Sequence, residues 1–520
     1  MAESQKDRTV IERAMKCFRQ VNDAESDNRA KGLNAHRFSL GDQWDTVTMN
    51  SRQLESRPYL TINKVDAFCR QVSNQQRQQR PRIKVHAVND IADVKIADII
   101  AGICRHVEVN SNADTAYDTA FDHALRIGWG YWRIVTNYTK ETSFDQDIYI
   151  QTVDNPFSVY FDPNSTLPDG SDAEFCIITD MVPRDTFKRL YPNADDGSAW
   201  TEATIGDTYA EWVDKDSIRI AEYFYVDRKA GVLCLLSDKS TAWEDELPPE
   251  ETLAQFGITV VTRRKSFKKT VKWCKLTAME ELESKDWAGR FIPVIPMYGN
   301  RIVVDGKVKK YGLVENAMDP QRMYNFWRSA MTESVALAPK AKWLLAAGQD
   351  EGFEQEWNQA NIAARPVLHY NQTDVDGQQA PAPQRLQPEP PPQGAMESAL
   401  AISQDLTSVL GIVDPAERIG GNVSGKALKA EHAQADNSNF HYYDNMTRSI
   451  SHTGKIILDL IPKIYDQERM LRIIGEDGRP DMVVVNQHSE DPMGKVLNDV
   501  TIGEYDVVMD TGPGYNSKTP

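Results

Sequence analysis

The chain has 520 residues, more than one hydrophobic core normally serves, so we expect several structural regions. Apolar residues make up 41% and charged residues 26% of the chain, which excludes wholesale disorder. The formal net charge of −17 is opposite in sign to that of proteins that grip nucleic acid, because gripping needs cations that release the counterions of phosphate. Either the protein has no DNA partner, or DNA must move past it without sticking.

The cysteine, histidine and N-terminal patterns limit the possible site chemistry and the possible cellular compartment of the protein. The six cysteines are scattered without a CxxC pair, as expected for reduced, mostly buried thiols of a cytosolic protein. No HExxH motif or close His/Cys cluster is present, so we expect neither a metal nor another cofactor. The N-terminal residues are polar, and no stretch approaches the ~20 apolar residues of a membrane span. We therefore expect assembly in the cytoplasm, without a membrane partner.

The first part of the chain is predicted to be mainly helical. Apolar residues recur at helical spacing over 5–31. A second helix begins after Asn63, which is a good N-cap, and Pro81 stops it. A third helix covers roughly 91–127, and the Asn-Ser-Asn run at 110–112 is a candidate break within it.

Beyond Gly128 the apolar pattern changes to that of strands. Gly128, Trp129 and Gly130 end the third helix, and a mixed α+β region with a substantial β core follows. Two later regions, 258–280 and 291–304, continue in the same manner. The shorter predicted strands are 83–88, 131–138, 148–153, 158–161, 174–181 and 218–226.

From residue 319 onward helices return on both sides of one biased segment. Asp319 is predicted to cap a helix that has Pro320 at its first position and reaches about Ala338. Six prolines favour extended backbone over 377–393 and exclude a helix there. The remaining predictions are a helix over 395–410, a loop over 411–425, a long polar helix over 426–461 that Pro462 ends, a hairpin of 470–474 with 482–486, and a last strand over 505–509.

The nearest approach to a catalytic motif is the glycine-rich stretch 420–427. It matches GxxxxGK, but Ala427 stands where a phosphate loop needs Ser or Thr to bind magnesium. It also follows a polar turn instead of the buried strand that delivers such a loop. We interpret it as a flexible loop that leads into a helix capped by Ser424. Because no GxSxG elbow or reactive cysteine context is present either, we assign no catalytic residue.

The other polar clusters are better explained by surface or packing than by a site. Residues 441–444 point in several directions on a long helix, so we expect them to pack between neighbouring helices. The Gln- and Arg-rich tract 75–82 has groups that bind phosphate, but a solvated helix end is the favoured interpretation. Two modest basic clusters, interpreted mainly as surface lysines, stand at either end of the helix at 319–338. They consist of Lys307, Lys309 and Lys310, and of Lys340 and Lys342.

Several short stretches, taken in chain order, resemble the portal proteins of short-tailed (podovirus-type) bacteriophages. Each stretch alone is weakly specific, whereas their collinear succession over nearly the whole chain is much more so. The stretches are Gly41-Asp42-Gln43-Trp44, Arg57-Pro58-Tyr59-Leu60-Thr61-Ile62-Asn63, Arg80-Pro81-Arg82-Ile83, Gly128-Trp129-Gly130-Tyr131-Trp132-Arg133, Asn155-Pro156-Phe157-Ser158-Val159-Tyr160-Phe161-Asp162-Pro163, Ser171-Asp172-Ala173, Ile292-Pro293-Val294-Ile295-Pro296, Asp319-Pro320-Gln321-Arg322 and Ser424-Gly425-Lys426-Ala427-Leu428.

The resemblance implies an α+β portal fold that assembles as a ring, typically of twelve subunits. Such a subunit has a mixed α/β wing, a helical stem, a small extended or β clip and a long tunnel helix. In this sequence the wing would comprise 1–312 and the β part 469–520, where any crown would start. The stem would comprise 313–348 and 394–412, the clip the Pro-rich region 349–393, the tunnel loop 413–425, and the tunnel and wing helix 426–468.

The implied function is a channel at one capsid vertex through which double-stranded DNA is packaged and ejected. The implied partners are the terminase large subunit, head–tail adaptor and tail proteins, and the major capsid and scaffolding proteins. The implied location is the virion, after assembly in the host cytoplasm. The candidate DNA-channel residues are Arg418, Asn422, Ser424, Lys426 and Lys429, and the basic candidates of the stem and clip are Lys340 and Lys342.

The acidic charge fits a conduit, and two other functions stay open. Twelve copies of −17 each give −204 for the ring, which would repel DNA and let it slide. One alternative is a nucleotide-hydrolysing DNA-packaging enzyme, which would depend on Lys426. The other is a head–tail adaptor ring protein, a class whose members are usually much shorter. The sequence stops at Pro520, before the C-terminal helical crown that is common in portal proteins.

Overall fold

A computed structural model of the protein divides into two compact units. The large unit comprises 1–36, 68–315 and 436–520, and the small unit comprises 37–67 and 316–435. The residues that the structure describes are 2–78, 80–88, 94–195, 212, 216–237, 241–249, 257, 259–337, 343–360, 367–375, 378–385, 393–411, 439–475, 479–488, 496–501, 503 and 505–511.

The helices largely follow the apolar spacing that predicted them. The helix predicted over 5–31 is confirmed and is longer. The predicted cap is confirmed as well, since Asn63 Oδ1 accepts the N–H of Asp66 at 3.2 Å. The helices of the described residues are α1 (Ala2–Ser39), α2 (Thr46–Leu54), α3 (Lys64–Gln78), α4 (Val94–Asn110), α5 (Ala113–Ile127), α6 (Arg184–Leu190), α7 (Leu313–Leu337), α8 (Glu354–Gln359), α9 (Gln393–Leu410) and α10 (Phe440–Ile464).

The predicted helix over 91–127 is broken at the predicted place. Helix α4 ends at Asn110 and α5 begins at Ala113, with Asn112 between them at a φ of 51°. Asparagine tolerates this left-handed conformation better than most residues. Gly128, at a φ of 104°, ends α5 as predicted.

Two predictions of helix ends at proline are wrong. Asp319 does not cap a helix, because α7 already begins at Leu313 and has Pro320 inside it. The added turns bury Val314 and Ala317, and this burial offsets the backbone hydrogen bond that Pro320 cannot donate. In the same way α10 runs past Pro462 to Ile464.

The largest sheet of the large unit has the strand order β4-β5-β6-β8-β9, with β7 also paired to β6, and all its pairs are antiparallel. The prediction over 218–226 found only the first half of a strand that continues to Leu236 and forms a long hairpin with its partner. The sheet consists of β4 (Val159–Phe161), β5 (Phe175–Pro183), β6 (Ser217–Leu236), β7 (Thr241–Trp243), β8 (Val260–Leu276) and β9 (Glu281–Asp286).

Smaller antiparallel sheets complete the large unit. A three-stranded sheet has the order β10-β2-β3, and the last strand, β21, pairs with β1. The hairpin predicted at 470–486 is confirmed as β17 and β18. The strands are β1 (Pro81–Ala87), β2 (Trp129–Tyr138), β3 (Gln146–Thr152), β10 (Val294–Tyr298), β11 (Asn300–Val304), β12 (Lys307–Tyr311), β17 (Arg469–Ile474), β18 (Pro480–Val485), β19 (Gln487–His488), β20 (Val496–Leu497) and β21 (Tyr505–Thr511).

The core of the large unit lies on both faces of the largest sheet. One cluster packs α1 against the sheet through Met15, Phe18 and Tyr223. Another contains Trp129 and Phe161, contributed by β2 and β4. Five of the six cysteines are buried, which confirms the predicted burial of most of them.

The small unit combines helices with short extended segments. It contains α2, α8, α9 and the part of α7 from Asn316 onward. Residues 378–385 of the Pro-rich segment are extended, which confirms for these residues that no helix forms. Residues 412–438 lie outside the described residues. They include nearly all of the predicted loop over 411–425 and the first part of the predicted helix over 426–461. The strands of this unit are β13 (Trp343–Leu344), β14 (Asp374–Val375), β15 (Gln378–Gln379) and β16 (Gln384–Arg385).

Candidate functional site

The small unit contains a helix face that is both buried and polar. Gln321, Asn325 and Ser329 recur every four residues on α7, so their side chains share one face. Their exposed fractions are 0%, 1% and 0%. Buried polar groups are stable only when they are hydrogen-bonded, so this row, which we call the polar seam, requires partners.

The partners are backbone groups of an extended segment, 57–63, and of the first residue of α3. Alternate residues of extended chain point in the same direction, so one helix face can bind every second residue. The seam therefore takes the place of a neighbouring strand, and Gln321 Nε2 returns a bond to the carbonyl of Ile62 at 2.7 Å. The N–H groups donate as follows: Leu60 to Ser329 Oγ at 2.8 Å, Ile62 to Asn325 Oδ1 at 3.0 Å, and Lys64 to Gln321 Oε1 at 3.2 Å.

A second pair of amides, Gln43 and Asn63, closes the network. Asn325 Nδ2 donates to Gln43 Oε1 at 2.6 Å, and Gln43 Nε2 donates to Asn63 Oδ1 at 2.9 Å. Asn63 Nδ2 then donates to the carbonyl of Ser39 at the end of α1, at 2.7 Å. Each amide in this chain uses both its donor and its acceptor, which is the condition under which a buried polar network stabilises one conformation.

Arg52 packs beside this network between two aromatic rings. Its guanidinium carbon lies 5.5 Å from the ring centre of Trp44 and 5.1 Å from that of Phe326, within cation–π range. Its Nη1 donates to the carbonyl of Pro58 at 3.0 Å and lies 3.6 Å from a carboxylate oxygen of Glu333. The arginine is 5% exposed, so it joins α2, α7 and the extended segment as a structural cation.

Three of the stretches that carry the family resemblance therefore meet in one structural assembly. They are the stretches at 41–44, 57–63 and 319–322. Sequence reasoning used them as markers only and assigned no role to Gln43, Asn325 or Ser329. The available signal was the recurrence of uncharged polar residues at a four-residue spacing along the helix.

The stretch at 128–133 marks close contact between backbones in the large unit. A Cβ on Gly130 would lie 2.1 Å from the carbonyl oxygen of Ala120, and one on Gly128 would lie 2.6 Å from the backbone of Tyr311. Only glycine permits this approach of β2 to α5. Trp132 then fixes the strand to α10, because its Nε1 donates to Thr453 Oγ1 at 2.8 Å.

The stretch at 171–173 holds a loop through a carboxylate. Asp172 accepts hydrogen bonds from Ser165 Oγ at 2.6 Å and from the backbone N–H and hydroxyl of Thr166 at 2.6 and 2.9 Å. Burial by itself would raise the pKa of Asp172, but these hydrogen bonds outweigh it and lower the pKa to about 2. The carboxylate is therefore a fixed anion that closes the loop, without a proton to exchange near neutral pH.

One member of the first basic cluster is not a surface lysine. Lys310 is 6% exposed, and its ammonium donates to the carboxylate of Glu25, which is also 6% exposed. Burial alone would lower the pKa of Lys310, but the charge of Glu25 outweighs it and the pKa is raised. The surface interpretation is therefore wrong for Lys310, because it joins β12 to α1 in an ion pair.

The tract 75–82 is also not simply a solvated helix end. Arg77 Nε lies 3.3 Å and Arg80 Nη2 lies 2.8 Å from the same Asp118 carboxylate oxygen of α5. Gln76 is only 1% exposed. The solvated interpretation fails because α5, which is distant in sequence, covers this side of α3.

The packing between neighbouring helices predicted for 441–444 is confirmed for Tyr443, which donates to the carbonyl of Val72 in α3 at 3.1 Å. Tyr442 instead contacts a strand, because it accepts a hydrogen bond from Asn300 Nδ2 of β11 at 3.0 Å. Asp444 pairs with Arg448 one turn later in the same helix.

The predicted site residues lie outside the described residues. This applies to the channel candidates Arg418, Asn422, Ser424, Lys426 and Lys429 and to the stem and clip candidates Lys340 and Lys342, so their roles stay predictions. Within the described ranges no group of three or more His, Cys, Asp or Glu side chains is placed to hold a metal ion. No helix among the described residues has both the length and the apolar character needed to cross a membrane.

Comparison with known proteins gives a match along nearly the whole chain. Residues 15–519 match the family model of the phage P22-like portal protein. A portal protein of Acyrthosiphon pisum secondary endosymbiont phage 1 is 27% identical over an alignment of 534 positions. The alignment covers 98% of this chain and 74% of that protein. The matched range contains every stretch on which the sequence resemblance rests.

Proposed function

The chain belongs to the phage P22-like portal protein family, and from this membership we propose that twelve copies form a ring around double-stranded DNA at one capsid vertex. The observation that carries the proposal is the match over 15–519, because it covers the large and the small unit alike. DNA enters the capsid through such a ring during packaging and leaves through it during ejection. A curated portal protein aligned to 98% of the chain supports the same role.

We assign the parts of the portal subunit as the sequence predicts them. The wing comprises 1–312 and 469–520, the stem 313–348 and 394–412, and the clip 349–393. In support, α7 has 25 residues and is about 37 Å long at ~1.5 Å per residue. It and α9 flank a region whose described strands have only two residues each, and a projection from a ring needs this alternation of helix, extended chain and helix.

We place the DNA-facing chemistry in the loop 413–425 and the helix that follows it, within 426–468. Arg418, Asn422, Ser424, Lys426 and Lys429 would touch phosphates in passing, while the net charge of −17 per subunit keeps DNA from sticking. Lys340 and Lys342 would add a basic ring where the stem meets the clip. Each such contact is independent of base sequence, as a conduit for a whole genome requires.

The partners follow from the proposed position at the vertex. The terminase large subunit would dock at the clip during packaging, and head–tail adaptor and tail proteins would replace it afterwards. The major capsid and scaffolding proteins would surround the wing during assembly in the host cytoplasm. We infer a structural role without nucleotide hydrolysis, since Ala427 occupies the magnesium-binding position of the phosphate-loop pattern.

Electron microscopy of the purified full chain tests the ring directly. We expect closed rings with a central hole of roughly duplex width. A stable monomer at high protein concentration would refute the proposal. An ATPase assay with magnesium separates the enzymatic alternative, which requires activity that Lys426→Ala abolishes.

The channel assignment has a separate test in the salt dependence of DNA binding by the ring. The plot of log K against log salt has a negative slope, and each lost phosphate contact should make this slope less steep by about 0.9. We expect Arg418→Ala and Lys426→Ala to show this change and Lys265→Ala, an exposed residue of β8, to leave the slope unchanged. Equal slopes in all three variants would contradict the placement of these residues at the channel.

A further inference from the structure

A cavity of about 620 Å³ opens in the large unit beside the end of α3. Its wall is formed by α3, α4, α5, α10, β1 and the hairpin β17–β18. Four arginines line it, and they come from different elements that the fold brings together. They are Arg80 after α3, Arg82 on β1, Arg105 on α4 and Arg472 on β17.

Among the described residues, three of these arginines have no ion-pair partner. Arg80 is neutralised, because its guanidinium binds the carboxylates of Asp114 and Asp118. Arg105 Nε donates to the carbonyl of Ile474 at 2.6 Å, and a carbonyl carries no charge to offset the cation. In the described part of the chain neither Arg82 nor Arg472 forms an ion pair. Within the described ranges the cavity therefore holds three arginines without an ion pair, in a chain whose net charge is −17.

The acidic residue left in the cavity wall opposes these charges only weakly. Glu108 is partly buried, and this burial raises its pKa to about 7, although the hydrogen bond that Tyr117 donates at 3.1 Å acts in the opposite direction. Burial therefore favours the neutral form of Glu108. The groups facing this carboxyl are Tyr117 and Asp114 of α5, Arg105 of α4 and Arg82 of β1.

A buried amide in the same wall has no partner. Gln76 is 1% exposed, and neither its Nε2 nor its Oε1 has a hydrogen-bond partner among the described residues. Leaving a buried polar group unpaired destabilises the folded protein, so such groups are rare unless a bound molecule satisfies them. This amide offers two donors to an anion held by the neighbouring arginines.

We propose that this cavity binds a phosphate-bearing small molecule through Arg82, Arg105, Arg472 and the amide of Gln76. Guanidinium groups present a planar fork of donors that matches the oxygens of phosphate, and three of them, contributed by β1, α4 and β17, line this cavity. The volume lies within the range of about 300–1,000 Å³ that is usual for small-molecule sites. Inorganic phosphate and a nucleotide share this chemistry.

Titration calorimetry on the full assembled chain tests the site with inorganic phosphate, pyrophosphate and ATP as separate probes at constant ionic strength. We expect saturable binding, and the strongest of the three probes identifies the source of the phosphate group. Arg82→Ala and Arg472→Ala should each weaken it about tenfold, the effect of losing one charge-assisted contact. Both side chains are exposed, so the variants should fold. Arg264→Ala is the matched control, an exposed arginine on β8 that does not line the cavity.

Gln76→Leu gives a readout that a purely structural role would not move. In the absence of phosphate, the variant should have a higher thermal midpoint than the unchanged protein, because an unpaired buried amide has been removed. Added phosphate should then raise the midpoint of the variant by less than it raises that of the unchanged protein. Equal phosphate binding by Arg82→Ala, Arg472→Ala and Arg264→Ala would overturn the proposal. So would binding of duplex DNA at these arginines without binding of any of the three free probes, which would assign them to a DNA backbone instead.

Discussion

Replacing Asn325 with alanine should open the polar seam without unfolding the rest of the protein. Asn325 is 1% exposed, and its amide binds the N–H of Ile62 at 3.0 Å and Oε1 of Gln43 at 2.6 Å. Alanine leaves both of these groups without their partner. Each orphaned buried group costs about 1–3 kcal/mol, so we expect a local destabilisation of about 3 kcal/mol.

Hydrogen exchange followed by mass spectrometry measures this opening in a peptide that covers 57–64. Because about 1.4 kcal/mol is a factor of ten, the amide of Ile62 should exchange roughly 100-fold faster in Asn325→Ala. Thr332→Ala is the control on the same helix, since this exposed hydroxyl bonds only to the carbonyl of Arg328 at 3.0 Å. Equal exchange in the two variants would refute the reasoning that the seam holds the extended segment.

Three further predictions concern the large unit. Gly130→Ala places a Cβ 2.1 Å from a backbone oxygen, so a loss of about 3 kcal/mol should lower the thermal midpoint, whereas Gly394→Ala, which has no atom of the described residues within 4 Å of its Cβ position, should not. Lys310→Ala leaves Glu25 buried and unpaired and should cost about 3–5 kcal/mol in urea unfolding; adding Glu25→Leu should restore much of this. Burial lowers the pKa of His452 from 6.5 to about 4, so between these pH values only the unfolded state gains the proton. Stability should then fall by up to about 3 kcal/mol as the pH drops from 6.5 to 4, and His452→Gln should flatten this acid limb.

The predictions that held are those that depend on local backbone chemistry. Asn63 caps α3 through its own side chain, and Gly128 ends α5 in a conformation that most residues avoid. The glycine-containing turn sequence at 475–478 was sufficient to predict the hairpin β17–β18, because tight turns between strands favour such residues. Each of these signals lies within a few residues of the feature that it predicts.

The predictions that failed depend on packing between distant parts of the chain. Pro320 should begin a helix by local rules, but burial of Val314 and Ala317 extends α7 in front of it. Gln76 and Lys310 have surface-like sequence contexts, but the fold buries both, and Lys310 pairs with Glu25 of the distant helix α1. The pairing of β1 with β21 joins residues more than 400 positions apart, which no local period encodes.

The stretches that identify the family hold backbone in place within each unit, as Gln43, Gln321 and Gly130 do, and this is consistent with a function that arises from assembly. In the proposed ring every residue that faces the axis occurs twelve times, so one lysine per subunit already provides twelve cations around the duplex. A dense basic cluster in each subunit would multiply the phosphate contacts and hold the DNA still, because each additional contact strengthens binding. Isolated candidates such as Arg418 and Lys426 in an acidic chain are therefore what a sliding channel requires, and a single chain need not show a site that only symmetry completes.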